Sequence, residues 1–165
     1  MEKTHLEIER KFLIAYPDTD HLDSLENCSK AEITQTYLKD RARIRKWCKN
    51  KKTSYIKTVK EKISDLTHIE TETEITKAEY DSLFKNADPD RNTIVKTRYR
   101  YPYMGKVIEI DVFPFWNDRA FLEVELENED ELFSLPPFIN VIKEVTEDKR
   151  YRNSALAKEI PYDEI

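Results

Sequence analysis

Leu6-Glu7-Ile8-Glu9-Arg10-Lys11-Phe12-Leu13-Ile14 is the stretch on which the fold turns. As a strand it sets Glu7, Glu9 and Lys11 on one face and Ile8 and Phe12 on the other, because successive strand side chains point to opposite sides. Pro17 and Asp18 end it, and residues 18–30 read as a short helix and loop. The same alternation of charged and apolar faces then recurs. Residues 33–38 and 42–48 follow, with Arg41, Arg43 and Arg45 sharing a face in the second. A Lys- and Asn-rich turn at 49–53 leads to a strand at 54–60, with Ile56, Thr58 and Lys60 on one side. Residues 68–75 set His68, Glu70, Glu72 and Glu74 together.

The period changes at Thr76, which can cap a helix with Glu79 at the third following position, and Pro89 ends that segment. Strands resume at 93–101, aligning Lys96, Arg98 and Arg100, at 106–112, aligning Glu109 and Asp111, and at 120–127, aligning Glu123, Glu125 and Glu127. That makes eight strands. Pro136 and Pro137 interrupt the chain before 138–145, and Thr146 is positioned to cap a terminal helix over 146–158.

A charged side chain is ordinarily solvated. Read together, though, these strands carry basic rows at 41–45 and 96–100 and acidic rows at 7–9, 70–74, 109–111 and 123–127, each backed by an apolar face. A barrel that is apolar outside and charged within satisfies the pattern if helices and loops cover its outer wall. A flat sheet with one helical face would give the same alternation. The expected class is mainly β with flanking helices (α+β): an eight-stranded closed antiparallel barrel, as a single domain over 1–165, with the segments at 18–30, 76–86, 129–135 and 146–158 available to cover it.

Composition narrows the chemistry. Lys and Arg number 28 against 33 Asp and Glu, a net charge of −5, which disfavours nucleic-acid binding. A single Gly excludes the glycine-rich phosphate loops, so any phosphate must be held by side chains. Cys28 and Cys48 form neither a disulfide framework nor a metal pair and read as packing residues; no leader is evident, and a cytoplasmic location follows. No apolar run is long enough to span a membrane. His5, His21 and His68 lack metal-ligand spacing.

The interior rows suit a polyanion. Arg43, Arg45, Lys60, Lys96, Arg98 and Arg100 can neutralise adjacent phosphates, Arg through its fork and Lys as a point charge. Carboxylates beside a polyanion repel it unless Mg2+ or Mn2+ intervenes. Glu7 and Glu9, roughly 6.5–7 Å apart by strand rise, form one carboxylate pair, and Glu123 and Glu125 a second. Together they suggest two ions during turnover and in-line phosphoryl transfer to water. A binding module without turnover would need only the bases.

The ordered set Glu7-Ile8-Glu9-Arg10-Lys11, Gln35-Thr36-Tyr37-Leu38, Arg43-Ile44-Arg45, Thr58-Val59-Lys60, Glu70-Thr71-Glu72, Lys96-Thr97-Arg98-Tyr99, Glu109-Ile110-Asp111, Glu123-Val124-Glu125 and Glu144 to Tyr151, followed by Asn153 and Ala155-Leu156-Ala157, resembles the CYTH family, the triphosphate tunnel metalloenzymes. The resemblance implies a triphosphate tunnel and divalent metal. It assigns metal to Glu7, Glu9, Glu123, Glu125 and Asp111, catalysis to Glu7, Glu9, Lys11, Lys60 and Glu72, and phosphate contacts to Lys11, Arg43, Arg45, Lys60, Lys96 and Arg98. Glu72 and Asp111 would also order metals, water or basic side chains, and Lys149 and Arg150 would close one tunnel end and touch ligand. The short form with its Asp148-Lys149-Arg150-Tyr151 terminus is most similar to inorganic triphosphatases. Hydrolysis of inorganic tripolyphosphate to pyrophosphate and orthophosphate is therefore expected, with class IV adenylate cyclase acting on ATP as the alternative. The pattern leaves a homodimer open.

Overall fold

Residues 1–165 are described by a computed structural model, and all eight expected strands are present in it. They are β1 (Glu2–Ala15), β2 (Ser29–Tyr37), β3 (Arg43–Lys49), β4 (Lys52–Lys62), β5 (Thr67–Ile75), β6 (Ile94–Tyr103), β7 (Lys106–Val112) and β8 (Arg119–Leu126). Helix α1 (Thr19–Ser24) follows β1 and helix α2 (Lys77–Phe84) follows β5. A ninth strand, β9 (Val141–Glu144), falls inside the 138–145 stretch.

The pairings run β5-β4-β3-β2-β6-β7-β8-β1, all antiparallel, and β1 returns to β5 to close the barrel. Closure depends on the length of β1. Residues 2–8 pair with β5, residues 8–15 pair with β8, and where β5 ends, β9 pairs with residues 12–14. No helix is long and apolar enough to cross a membrane.

The outward positions make the main core. Ile8, Phe12 and Ile14 of β1 join Ile108 and Ile110 of β7 and Leu122 and Val124 of β8 in one cluster on the outer wall. Leu22 of α1 and, from the 129–139 connection, Phe133, Leu135 and Ile139 cover it. Each such side chain, fully buried, contributes about 1.5–3 kcal/mol, which helps offset the cost of the charged interior. Helix α2 covers β3 and β4 through Tyr80 and Leu83, packed on Ile44 and Tyr55. Its start is the expected capping box: Glu79 N–H donates to Thr76 Oγ1 at 3.1 Å, and Thr76 N–H to Glu79 Oε2 at 2.6 Å.

Along β1 the inward positions change from Glu7, Glu9 and Lys11 to Leu13. Leu13 belongs to a second cluster with Phe113, Phe121, Tyr151 and Leu156, which plugs part of that end. The tight hairpins use left-handed residues, Asn50 and Lys51 (φ 50° and 64°) between β3 and β4, and Met104 and Gly105 (φ 49° and 76°) between β6 and β7.

The expected helix over 146–158 is not continuous. Residues Lys149–Tyr151 form a 3₁₀ turn, capped by Asp148, whose side chain accepts from Arg150 N–H, and helix α3 spans only Asn153–Leu156. Arg152 between them is extended (φ −67°, ψ 142°), and its guanidinium donates to Asp65 Oδ1 at 3.0 Å. That contact and the burial of Tyr151 in the end cluster redirect the chain where a helix would have carried it past the barrel.

Candidate active site

The barrel encloses two connected cavities of about 460 and 320 Å³. Glu9, Arg43, Lys60 and Asn153 line both, so the pair forms one passage. The larger cavity adds Lys11, Tyr37, Arg41, Arg91 and Arg152, and the smaller adds Glu7, Arg45, Arg98, Glu123 and Glu125. Acidic and basic rows therefore converge as their alternation requires.

Strand register explains the contacts. Glu9 lies opposite Glu125 and Lys11 opposite Glu123 across β1 and β8, while Lys60 lies opposite Glu70 across β4 and β5. Lys60 Nζ sits 2.7 Å from Glu7 Oε2 and 3.8 Å from both Glu9 Oε1 and Glu70 Oε2. Lys11 Nζ is 3.4 Å from Glu123 Oε1, an oxygen buried without a hydrogen-bond donor. Burial pushes the Glu9 carboxyl up to about 8, and Glu123 and Glu7 add to this against the pull of Lys60 and Lys11. Burial also opposes ionisation of Glu123, but Lys11 and Arg98 outweigh it and hold that carboxyl at about 2.

Arg45 Nη2 donates to Thr58 Oγ1 at 3.1 Å and Glu72 Oε1 at 2.7 Å. Burial, then Arg43, pulls its guanidinium down to about 10. Arg98 is held by Asp111 through Nε at 2.7 Å and Nη2 at 2.8 Å, and reaches Glu123 Oε2 at 3.5 Å.

Three expected placements differ from this geometry. Asp111, expected among the metal residues and also to order bases, is fully buried, accepts from Arg98 on Oδ1 and from Arg98 and Lys96 on Oδ2, and lines neither cavity; in this geometry it orders bases. Lys96, expected at phosphate, is 1% exposed, donates to Asp111 at 2.8 Å and lines neither cavity; burial, then Arg98, lowers its ammonium to about 8. Lys149 and Arg150, expected to touch ligand, are exposed and outside both linings, because the 3₁₀ turn aims them outward and Asp148 takes Arg150. Arg152 lines the passage in their place.

Glu7, Glu9, Lys11, Arg43, Arg45, Lys60, Glu72, Glu123 and Glu125 all line the passage. Arg91, Arg152 and Asn153 also line it without having been assigned; Arg91 and Arg152 sit in connections and Asn153 opens α3, where no two-residue period marks them. No three acidic, imidazole or thiol groups form a ready-made metal cluster. The donors nonetheless fit a hard divalent cation: carboxylate oxygens predominate, Glu123 Oε1 lacks a donor, and burial beside Glu123 and Glu7 leaves the raised Glu9 carboxyl undercompensated by Lys60 and Lys11.

The sequence model of the CYTH domain matches residues 5–136. An inorganic triphosphatase of Nitrosomonas europaea is 35% identical over 164 residues, covering 94% of this chain and 99% of that protein. The crystal structure of an inorganic triphosphatase, 33% identical, superposes with a TM-score of 0.58 and covers 94% of this chain and 96% of its own. A conserved hypothetical protein of Pyrococcus furiosus, 20% identical over 75% of this chain and 80% of its own, shares the fold at a TM-score of 0.52. Since the matched span carries every barrel strand from Glu7 to Glu125, the chain belongs to the CYTH domain family.

Proposed function

We propose that this protein is a metal-dependent inorganic triphosphatase, hydrolysing tripolyphosphate to pyrophosphate and orthophosphate by attack of water on the terminal phosphorus. The carrying observation is the convergence of two carboxylate pairs with Lys11, Arg43, Arg45, Lys60 and Arg98 in one passage, supported by likeness to inorganic triphosphatases over nearly the whole chain. Two Mg2+ or Mn2+ ions, held through Glu7, Glu9, Glu123 and Glu125, would supply charge neutralisation at the phosphates and acidify bound water. Lys11, Arg43, Arg45, Lys60 and Arg98 bind and align the triphosphate, with Arg98 fixed by Asp111 and Arg45 by Glu72. A fixed guanidinium needs no rearrangement as charge shifts to the leaving pyrophosphate, so it stabilises the transition state more than a mobile one. The reading carries a cytoplasmic setting with it, in keeping with free thiols at Cys28 and Cys48.

The test is a substrate panel with purified protein. Tripolyphosphate plus Mg2+ or Mn2+ is expected to yield pyrophosphate and orthophosphate, with turnover abolished by chelation and restored by either ion. Intact tripolyphosphate beside rapid consumption of a nucleoside triphosphate would overturn the substrate assignment, and cyclic AMP formed from ATP would identify a cyclase.

A further inference from the structure

Of the four side chains lining both cavities, three come from the barrel wall and one, Asn153, enters from outside as the first residue of α3. Its backbone is tied down on two sides. Arg152 donates to Asp65 in the β4–β5 connection, Arg91 donates to the Ser154 carbonyl, and Asn92 N–H donates to the Ala157 carbonyl at 2.6 Å. Leu156 and Ala157 are buried in the end cluster. The side chain is thereby delivered to the junction of the two cavities by a braced segment.

An asparagine at a helix start ordinarily spends its side chain on nearby backbone. Here α3 has no side-chain cap, and Asn153 Oδ1 is buried without a hydrogen-bond donor. An unsatisfied buried acceptor is costly and calls for a partner. A triphosphate cannot be that partner, since it presents acceptor oxygens, and Glu9, raised to about 8, can donate its proton only until its carboxylate takes a divalent cation. Lys60 is engaged by Glu7, Glu9 and Glu70, and Arg43 Nε, though buried without an acceptor, is not bonded to Asn153. Water carries the hydrogen that this oxygen lacks.

We propose that Asn153 is a further catalytic residue, its Oδ1 accepting a hydrogen bond from the water that attacks the terminal phosphorus. This rests on the hydrolase reading. The held hydrogen fixes the water so that a lone pair faces phosphorus. The new P–O bond forms as the bridging P–O bond breaks, and the bonding pair leaves on the pyrophosphate oxygen. The hydrogen facing Asn153 stays on the incoming oxygen as the orthophosphate hydroxyl, and the second proton passes to pyrophosphate. The amide orients and takes no proton.

Two near-isosteric variants test this, assayed with tripolyphosphate and Mg2+. Asn153→Leu keeps the volume and removes the acceptor, and should lower kcat about 100-fold, the scale of a misplaced reactant, with KM within about threefold. Asn153→Asp keeps an acceptor and should retain at least about tenfold more turnover than the Leu variant. Leu at wild-type kcat overturns the proposal, as does a defect confined to KM, which would mean phosphate binding, or Asp no better than Leu. If the Leu variant does not fold, Asn153→Ala is read by the same criteria. A wild-type protein that leaves tripolyphosphate intact overturns the hydrolase reading instead, a result visible before any variant is made.

Discussion

Asp111 carries two buried cations on one carboxylate, bonding Lys96 and Arg98 at 2.7–2.8 Å behind the passage wall. Burial alone would raise its pKa, yet Arg98 and Lys96 hold it well below the usual carboxylate range. Removing it strands Lys96 in a low-dielectric wall and leaves Arg98 only Glu109 and Glu123. Asp111→Leu is expected to cost about 3–5 kcal/mol, read as a shift in the urea midpoint, whereas a loss under about 1 kcal/mol would mean that both bases find other partners. Period-two alternation located Asp111 in the charged row, but it could not tell a carboxylate that holds a metal from one that holds a guanidinium. That distinction rests on Arg98 lying directly across from Asp111 in the β6–β7 register, and registers are not written in any one strand.

Among the elements, the segment after β9 departs most from its sequence pattern. Thr146 and the basic residues after it read as one helix, but Tyr151 is drawn wholly into the end cluster and its hydroxyl donates to Asp163 Oδ1 at 2.6 Å. Burial and then that bond push the phenol from 10 up to about 12. The sign follows from the raised value: below pH 10 the phenol is neutral in folded and unfolded chains alike. Between 10 and 12 only the unfolded chain ionises, so stability is lost across that window. Tyr151→Phe is expected to flatten the alkaline fall in melting temperature between about pH 10 and about pH 12; an unchanged slope would place the titration elsewhere. The barrel strands were legible because one face had to be apolar and the other charged. Arg91 and Arg152 were not, because a connection places side chains by tertiary contacts that leave no local period, and Asn153 entered only through the family resemblance, with no role assigned.

For the whole molecule, a net charge of −5 coexists with a cationic passage, where the larger cavity is lined by seven Lys and Arg and only two carboxylates. Capture of a polyanion thus depends on a local field that salt screens. Raising ionic strength from about 0.01 M to about 0.15 M, which shortens the screening length from about 30 to about 8 Å, should lower kcat/KM for tripolyphosphate while leaving kcat nearly constant. A kcat/KM indifferent to salt would remove long-range attraction from the account. The division of β1 among β5, β8 and β9 has a further consequence, which concerns how the protein is made. Strand β1 is synthesised before every strand it pairs with and completes its ladders only when residues 119–144 have followed, so its apolar face must wait while the strands between are made. Such distant partners make folding slow relative to locally paired domains, and the barrel's exposure to misassembly is greatest just before β9 arrives.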